Sequence, residues 1–274
     1  MKRSTQRIVQ QSPFNMHTSL KILTLVICAF VLRTTLVGNA QDDGVIVSPT
    51  GTAVAFYQAE EGGPELDENR RLDFGGIEIN TRNNTPWLAP KLSNISVVRL
   101  ENQTEHQILA PFNTTLGWVG FSPNGSYLSY VVIRDTGIEQ WIFDVDSGTP
   151  RPLTSASLNA TWGEPCQWLA DSTGVLCTFV RSGRGSPPEG SAALFDYHLT
   201  SQLATVQLAT GRRSNVGSPA IFTSVSTTED DQSIVVVKLT EPFSPRVPVS
   251  HGVSSIETWD REGHVLHKVT RREP

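Results

Sequence analysis

The sequence lacks the features of a helical or membrane-spanning protein. Outside the N-terminus, no stretch of its 274 residues shows sustained helical periodicity, and only 18% of the residues are charged. The longest largely apolar run, residues 22–32, has 11 residues, about half of the ~20 that a membrane-spanning helix needs. The 21 Gly and 17 Pro residues are spread along the chain, which favours many short strands joined by turns.

Acidic residues are absent from the start of the chain. No Asp or Glu precedes Asp42, whereas five of the 22 Lys and Arg residues do, so removal of residues 1–40 would change the net charge from −5 to −10. A surface this acidic repels phosphate backbones and anionic lipids. We therefore expect no nucleic-acid partner and no stable membrane anchor.

The first forty residues have the three-part layout of a secretory signal peptide. Lys21 precedes the apolar run, and small residues at 38–40 (GNA) follow it. We predict cleavage after Ala40, which leaves residues 41–274 as a protein of the secretory pathway or the cell exterior.

Two points about this leader stay open. Met16 would start a signal of more usual length, so the true start is either Met1 or Met16. An organelle transit sequence is the alternative to a signal peptide, because the region is rich in Ser, Thr and basic residues and has no acids.

Half of the twelve asparagines lie in Asn-x-Ser/Thr sequons. Ser and Thr make up about a fifth of the chain, so the sequons exceed the number expected by chance. The excess predicts a glycosylated surface. The predicted sites are Asn83, Asn94, Asn102, Asn113, Asn124 and Asn159.

Cys166 and Cys177 flank a predicted hairpin turn at residues 171–174. They could approach each other across two strands and form a disulfide, which an oxidising compartment permits. A cross-strand bridge strains the strand ladder. Two buried free thiols are therefore an alternative that the sequence leaves open.

One type of turn repeats along the chain. An apolar residue, a Ser-Pro-x-Gly turn and alternating apolar residues occur at residues 47–56 (VSPTGTAVAF) and 121–130 (FSPNGSYLSY), with weaker copies at 168–177 and 225–237. Pro fixes φ, and Gly, Asn or Asp accepts a positive φ. Each copy therefore predicts a tight turn between antiparallel strands.

A second type of hairpin follows each of these turns. The clearest is residues 140–154 (QWIFDVDSGTPRPLT), and its counterparts lie at residues 96–103, 203–211 and 256–263. Two hairpins in series make a four-stranded sheet, which is one blade of a β-propeller. A β-sandwich is the alternative, but the alternation of the two turn types favours blades.

We therefore predict an all-β fold, a partial β-propeller of about four four-stranded antiparallel blades. Four of the tryptophans should fill the space between blades, and the first blade carries an insertion at residues 60–91. The blades are predicted at residues 44–109, 116–154, 162–214 and 221–270, and the tryptophans are Trp118, Trp141, Trp168 and Trp259.

Several strings along the chain occur together in a known family. They are residues 72–84 (LDFGGIEINTRNN), 159–163 (NATWG), 194–203 (LFDYHLTSQL), 221–225 (IFTSV), and 242–248 with 257–259. Over most of residues 44–270 the chain resembles the N-terminal β-propeller of glutamyl endopeptidase-like members of the prolyl oligopeptidase family of serine peptidases.

The resemblance implies a propeller that covers an α/β-hydrolase domain and limits which substrates reach its catalytic serine. The 274 residues contain no Gly-x-Ser-x-Gly nucleophile elbow. We therefore expect a non-catalytic, substrate-gating portion without its hydrolase domain, as a truncated product or an incomplete gene sequence. We name no catalytic residue. The alternative is a free-standing secreted β-propeller that binds a peptide or protein.

Two departures from the family weaken any inherited contact with substrate. The loop between Pro188 and Leu194 is much shorter than in the family, and residues 251–253 (HGV) stand where its members carry Arg-Phe-Pro. Arg181 and Arg184 are nevertheless candidate substrate-binding residues, because guanidinium groups in a glycine-rich loop can pair with acidic side chains. An exposed loop without a ligand is the alternative.

No metal or cofactor is expected. His264 and His267 are three residues apart, so in a strand they would face opposite sides. Four blades of a larger ring would leave the faces of the first and last blades uncovered. We therefore expect self-association through these open faces.

Overall fold

The computed structural model describes residues 44–59, 68–240 and 254–271. These residues form eighteen β-strands, one 3-10 helix and one α-helix, which confirms the all-β prediction. The predicted signal peptide, residues 1–40, and the sequence motifs at 242–248 and 251–253 lie outside the described residues. Within the described ranges, no helix has the length and apolar character needed to cross a membrane.

The first run of strands is antiparallel and contains the predicted insertion. A hairpin of β1 (Gly44–Val47) and β2 (Ala53–Ala59) precedes the insertion. The insertion holds a 3-10 helix (Glu68–Arg70) and a small sheet of β3 (Arg71–Asp73), β4 (Glu78–Asn80) and β5 (Thr85–Pro86). The run then continues with β6 (Leu92–Arg99), which pairs with β2, and β7 (Glu105–Leu109), which pairs with β6.

The second run pairs four strands in chain order. They are β8 (Thr115–Phe121), β9 (Tyr127–Arg134), β10 (Gly137–Asp144) and β11 (Thr149–Pro152). One residue pair, Leu92 with Leu116, joins β6 to β8. Through this pair the first two runs belong to one eight-stranded sheet.

The third and fourth runs share one long strand. The third consists of β12 (Cys166–Trp168), β13 (Gly174–Val180), β14 (Ser201–Gln207) and the first half of β15 (Arg213–Thr227). Helix α1 (Ser191–Leu199) lies between β13 and β14. The second half of β15 starts the fourth run, which continues with β16 (Ile234–Leu239), β17 (Ser254–Trp259) and β18 (Val265–Arg271).

Strand β15 is continuous between the predicted blade bounds at residues 214 and 221. The strand pairs with β14 as far as Ala220 and with β16 from Ile221 onward. A single strand of 15 residues therefore passes from one run to the next without an intervening loop.

The repeated Ser-Pro-x-Gly turns are held by the serine hydroxyl. Ser122 is fully buried, and its Oγ accepts a hydrogen bond from the backbone N–H of Tyr127 at 3.0 Å. Gly125 has a φ of 72°. A positive φ costs glycine little free energy and costs residues with a Cβ atom more. Ser48 has the same role in the first run, because its Oγ accepts from the N–H of Ala53 at 3.0 Å.

Three apolar clusters lie between successive runs. In β9, Leu128, Tyr130 and Val132 face the first run, whereas Val131 and Ile133 face the third. The third and fourth runs are joined by a cluster that includes Leu203, Val236 and Trp259. The middle runs are thus apolar on both faces, unlike a strand with one solvated face.

The four tryptophans contribute to these clusters as predicted. Trp259 is 3% exposed and belongs to the cluster between the third and fourth runs. Trp118 and Trp168 pack against the cluster between the second and third runs, and Trp141 packs against the cluster between the first and second.

Candidate functional site

Arg184 lies in the loop between β13 and α1, but its guanidinium is held against the protein. Its Cζ lies 4.1 Å from the centroid of the Tyr197 ring, and its Nη1 donates to the carbonyl oxygen of Tyr197 at 3.2 Å. Burial is the main cause of its lowered pKa. Arg181 is exposed. In the structure Arg184 therefore fastens the loop to the helix, while Arg181 is exposed in the same loop.

Next to Arg184, a buried polar junction joins the insertion to α1. His198 is 2% exposed, and its Nδ1 lies 3.1 Å from Oδ1 of Asn84. Burial, and then the charge of Arg184, lower the pKa of His198 to about 4. The ring is therefore neutral at pH 7, with the Nδ1 hydrogen donated to Asn84.

Asn159 joins the loop before β12 to the same junction. Its Nδ2 donates to the carbonyl oxygen of His198 at 2.9 Å. The backbone N–H of Ala160 donates to the carbonyl oxygen of Asn84 at 2.9 Å. Three segments far apart in sequence thus share one network of buried hydrogen bonds.

An apolar contact lies at the other side of this junction. Phe74 and Ile79 of the insertion belong to one cluster with Phe195 and Leu199 of α1. The rings of Phe74 and Phe195 meet edge to face, with centroids 5.3 Å apart. The sequence identified the insertion and the 194–203 segment separately, but no local pattern indicated that they touch.

A cavity of about 250 Å³ lies between the third run and the second half of β15. The loop before β12 contributes Trp162 and Glu164, β13 contributes Thr178, and β15 contributes Phe222 and Ser224. Glu164 lines this cavity and its side chain is exposed, and the protein around its carboxyl raises its pKa.

The polar groups of this cavity are incompletely used. Glu164 has no ion pair with the described residues, and no Lys, Arg or His is found among the described residues that line the cavity. The Nε1 of Trp162 is buried and has no hydrogen-bond partner in the described part of the chain. Sequence reasoning missed Glu164, because a single acid in a loop gives no signal.

A second cavity, of about 360 Å³, lies between the turns of the third and fourth runs. Buried Asp231 accepts through Oδ2 from the backbone N–H of Ala170 at 2.5 Å and of Asp171 at 3.3 Å. Arg261 donates from Nε to the carbonyl oxygen of Asp231 at 2.7 Å. These groups fasten neighbouring turns to each other.

Cys166 and Cys177 lie directly opposite each other in the pairing of β12 with β13, and a disulfide joins them. Both side chains are buried in the cluster between the second and third runs. Cys166 also lines the first cavity, so the bridge holds one wall of that cavity.

Two of the six predicted glycosylation sites are buried. Asn83 is 5% exposed and Asn159 is 3% exposed, and their Nδ2 atoms donate to the carbonyl oxygens of Arg134 and His198. A glycan on either nitrogen would replace one of its two hydrogens and would need space that the buried positions do not offer. Burial therefore argues against glycans at these two positions in the folded protein. Asn102, Asn113 and Asn124 are exposed, and Asn94 is half-buried.

Many of the sequons also have a local structural role. The Oδ1 of Asn83 accepts from the N–H and the hydroxyl of Thr85, and Asn102 does the same with Thr104. Asn followed two residues later by Thr is the pattern of an Asx turn. Part of the sequon excess is thus explained by turn formation.

The structure places only one of the two predicted histidines in a strand. His267 lies in β18, whereas His264 precedes it in a turn, where its Nδ1 lies 2.8 Å from Oδ2 of Asp260. This hydrogen bond is the main cause of the raised pKa of His264. One ligand atom each from Asp260, Glu262 and His264 lies within 4.8 Å of the others. Asp260 also accepts from the N–H groups of Glu262 and His264, so hydrogen bonds within this exposed turn account for the closeness of the three side chains.

Exposed apolar side chains are concentrated on the last two strands. Ile256 is 40% exposed and Val269, its partner across β17 and β18, is 64% exposed. Val265 and Leu266 are half exposed. On the opposite face of β17, Glu257 and Trp259 are buried. The outward face of the fourth run is therefore partly apolar.

Comparisons with known proteins relate the chain to peptidases. It is 28% identical over 199 residues to the probable chloroplastic glutamyl endopeptidase of Oryza sativa subsp. japonica, which is 58% of this chain and 21% of that protein. The corresponding protein of Arabidopsis thaliana is 27% identical over 198 residues, which is 58% of this chain and 20% of that protein. The chain spans about a fifth of the length of these relatives. No protein-family profile matches it.

Solved structures agree with these relatives. Pyrococcus horikoshii acylaminoacyl peptidase superposes with a TM-score of 0.52 at 13% identity, over 85% of this chain and 33% of that chain, which shows a common fold. The β-propeller domain of the Trilobed protease from Pyrococcus furiosus gives a TM-score of 0.49 at 14% identity, over 86% of this chain and 59% of that chain. The similarity to the two plant relatives confirms the resemblance of this chain to the β-propeller of glutamyl endopeptidase-like members of the prolyl oligopeptidase family.

Proposed function

We propose that the four runs of strands are four four-stranded blades, and that the domain is the non-catalytic, substrate-gating portion of a glutamyl endopeptidase-like peptidase. The observation that carries the proposal is that the four runs of strands follow one another in sequence and pack against one another in the same order. Each run is antiparallel, and an apolar cluster lies between each run and the next, which is the packing that successive propeller blades require.

The residues themselves support a non-catalytic role. The 274 residues contain no Gly-x-Ser-x-Gly elbow, and a nucleophilic serine needs a base within hydrogen-bond reach. His198, the most buried described histidine, is engaged with Asn84.

Hydrolysis assays test the absence of catalysis. The purified chain should release no product from Glu-containing peptides above background. Turnover that a serine-directed phosphonate abolishes, in a preparation free of other proteases, would refute the proposal.

A chimera tests the gating role. Residues 44–271 would replace the aligned segment of the rice glutamyl endopeptidase, and cleavage of short peptides would be compared with cleavage of a folded protein. We expect short peptides to be cleaved and the folded protein to resist. Equal cleavage of both substrates would argue against gating.

A free-standing propeller that binds a peptide or protein is the second candidate function. The cavity beside Glu164 supports this second function, because the carboxyl of Glu164 has no counter-charge among the described residues that line the cavity. Titration of the chain with peptides separates the two functions, since a gate needs no affinity of its own.

We further propose that the chain enters the secretory pathway. The cystine between Cys166 and Cys177 and the exposed sequons support this location. The names of the plant relatives include the word chloroplastic, which keeps organelle targeting as the alternative. Fusion of residues 1–40 to a fluorescent protein would distinguish them, because only a signal peptide would direct it to the endoplasmic reticulum.

A further inference from the structure

The cavity beside Glu164 has the composition of a site for one positively charged group. Its volume of about 250 Å³ is below the ~300–1,000 Å³ of pockets for drug-sized ligands. A single amino-acid side chain or chain terminus is therefore a suitable occupant. A whole cofactor is not.

The charge of the lining residues indicates that the bound group is positively charged. Glu164 is the only ionisable side chain among the described residues that line the cavity, apart from Cys166, which the disulfide removes from titration. The exposed carboxylate of Glu164 has no cation beside it in this lining, and a bound ammonium group would supply the missing counter-charge.

The indole ring beside Glu164 fits the same occupant. Trp162 lines the cavity beside Glu164, and an indole ring attracts a cation placed over its face. The Nε1 of Trp162 is buried and lacks a partner in the described residues, so its N–H is a donor whose hydrogen bond is still unmade.

We infer that this cavity binds the ammonium group of a peptide, with Glu164 as its counter-charge and Trp162 as its aromatic wall. The ammonium group could belong to a lysine side chain or to a free N-terminus. The site does not depend on the proposed gating role. A peptide-binding cavity and a gate can each fail without the other.

Titration of the purified chain followed by NMR tests the inference. The probes are Nα-acetyl-lysine amide for the side chain and alanyl-alanine amide for the N-terminus. Nα-acetyl-Nε-acetyl-lysine amide is the neutral control. At least one cationic probe should shift the indole N–H resonance of Trp162, assigned with Trp162→Phe, with a Kd on the order of 1 mM, which is typical of a fragment-sized ligand. The neutral probe should not.

Two variants locate the charge. Glu164→Gln should weaken binding of the cationic probe about tenfold or more, as expected for loss of a charge-assisted contact. Glu189→Gln is the matched control, because Glu189 is exposed in the loop before α1 and outside the cavity lining.

Three outcomes would overturn the inference. They are no binding of either cation, equal binding of the neutral probe, and unchanged binding by Glu164→Gln. The comparison of charged with neutral probes uses the unsubstituted chain, so it decides the matter even if Glu164→Gln does not fold. Whichever cation binds more tightly identifies the source of the ammonium group.

Discussion

Oδ1 of Asn84 lies 3.1 Å from Nδ1 of His198, although the two residues are 114 positions apart in the sequence. This contact joins the insertion of the first run to the helix within the third run. Because both residues are buried, loss of the contact would leave a buried polar group without a partner, which costs about 1–3 kcal/mol.

The His198 contact predicts a loss of stability at mildly acidic pH. The folded pKa of about 4 lies below the ordinary pKa of 6.5 for a free histidine, so as the pH falls the unfolded chain binds a proton before the folded chain does. The contribution of neutral His198 to the free energy of unfolding is complete above pH 6.5. It should fall by up to about 3 kcal/mol as the pH drops to 4. Urea unfolding at pH 7, 5.5 and 4.5 measures this.

A pair of variants assigns the effect to the buried ring. His198→Gln should be less stable at pH 7 and should lose the pH dependence between 6.5 and 4. His267→Gln, which changes an exposed histidine of β18, should keep the dependence of the unsubstituted chain. The same slope in all three proteins would contradict the prediction.

Glu257 predicts a second loss of stability at lower pH. Its side chain is 1% exposed and lies 2.6 Å from Nζ of Lys238 and 3.2 Å from Nζ of Lys268. Burial raises its pKa, but hydrogen bonds from Lys238, Trp259 and Lys268 outweigh burial and lower the pKa to about 2. The stabilisation is therefore present above pH 4.5 and is lost as the pH falls toward 2.

The corresponding variant is Glu257→Gln. It should lower the free energy of unfolding at pH 7 by about 2–3 kcal/mol, because both lysines lose their counter-charge while staying partly solvated. Glu262→Gln, at an exposed position, should change it by less than about 0.5 kcal/mol. Equal effects of the two variants in denaturant unfolding would disprove the role of the lysine pair.

Gly217, in β15, is a position at which we expect substitution by any residue with a Cβ atom to destabilise the fold. Its φ is 58°, and a Cβ atom there would lie 2.6 Å from Cζ3 of Trp259. Gly217→Ala should destabilise the chain by about 2–4 kcal/mol, from the left-handed backbone and the displaced ring. Gly120→Ala is the control, because a Cβ at Gly120 meets nothing within 4 Å. Thermal unfolding of both variants is the measurement, and similar melting temperatures would contradict the prediction.

The disulfide predicts protected thiols in the exported protein. Intact mass after alkylation should show no modification of Cys166 or Cys177 before reduction and two after it. Cys166→Ser combined with Cys177→Ser should lower stability by about 2–3 kcal/mol, as expected for a short closed loop. Alkylation of either cysteine without reductant would mean that the two thiols are free.

Burial predicts which sequons carry glycans. After expression in a eukaryotic secretory host, glycopeptide mapping should find glycans at Asn102 and Asn113, which are exposed, and none at Asn83 or Asn159. Asn113→Gln should shift the mobility of the protein on a gel, whereas Asn159→Gln should not. A glycan at Asn159 in soluble, folded protein would be inconsistent with the burial of this side chain.

The local elements of the fold follow from the sequence by itself. The turns at residues 48–51 and 122–125 depend on a serine, a proline and a glycine that are adjacent in the chain, and the hairpins around them depend on apolar alternation over a few residues. Such interactions are local, so their pattern is visible in the sequence. The strings at 72–84 and 194–203 also indicated the family, although not the contact between them.

The sites were decided by tertiary structure. Arg184 packs against Tyr197, Asn83 and Asn159 are buried, and Glu164 lines a cavity, each through neighbours that are not adjacent in the sequence. The same holds for β15, in which residues 214–221 continue as strand because β14 and β16 each pair with half of it. Sequence spacing determines which residues share a face of one strand, but the burial and charge of a side chain depend on what packs against that face.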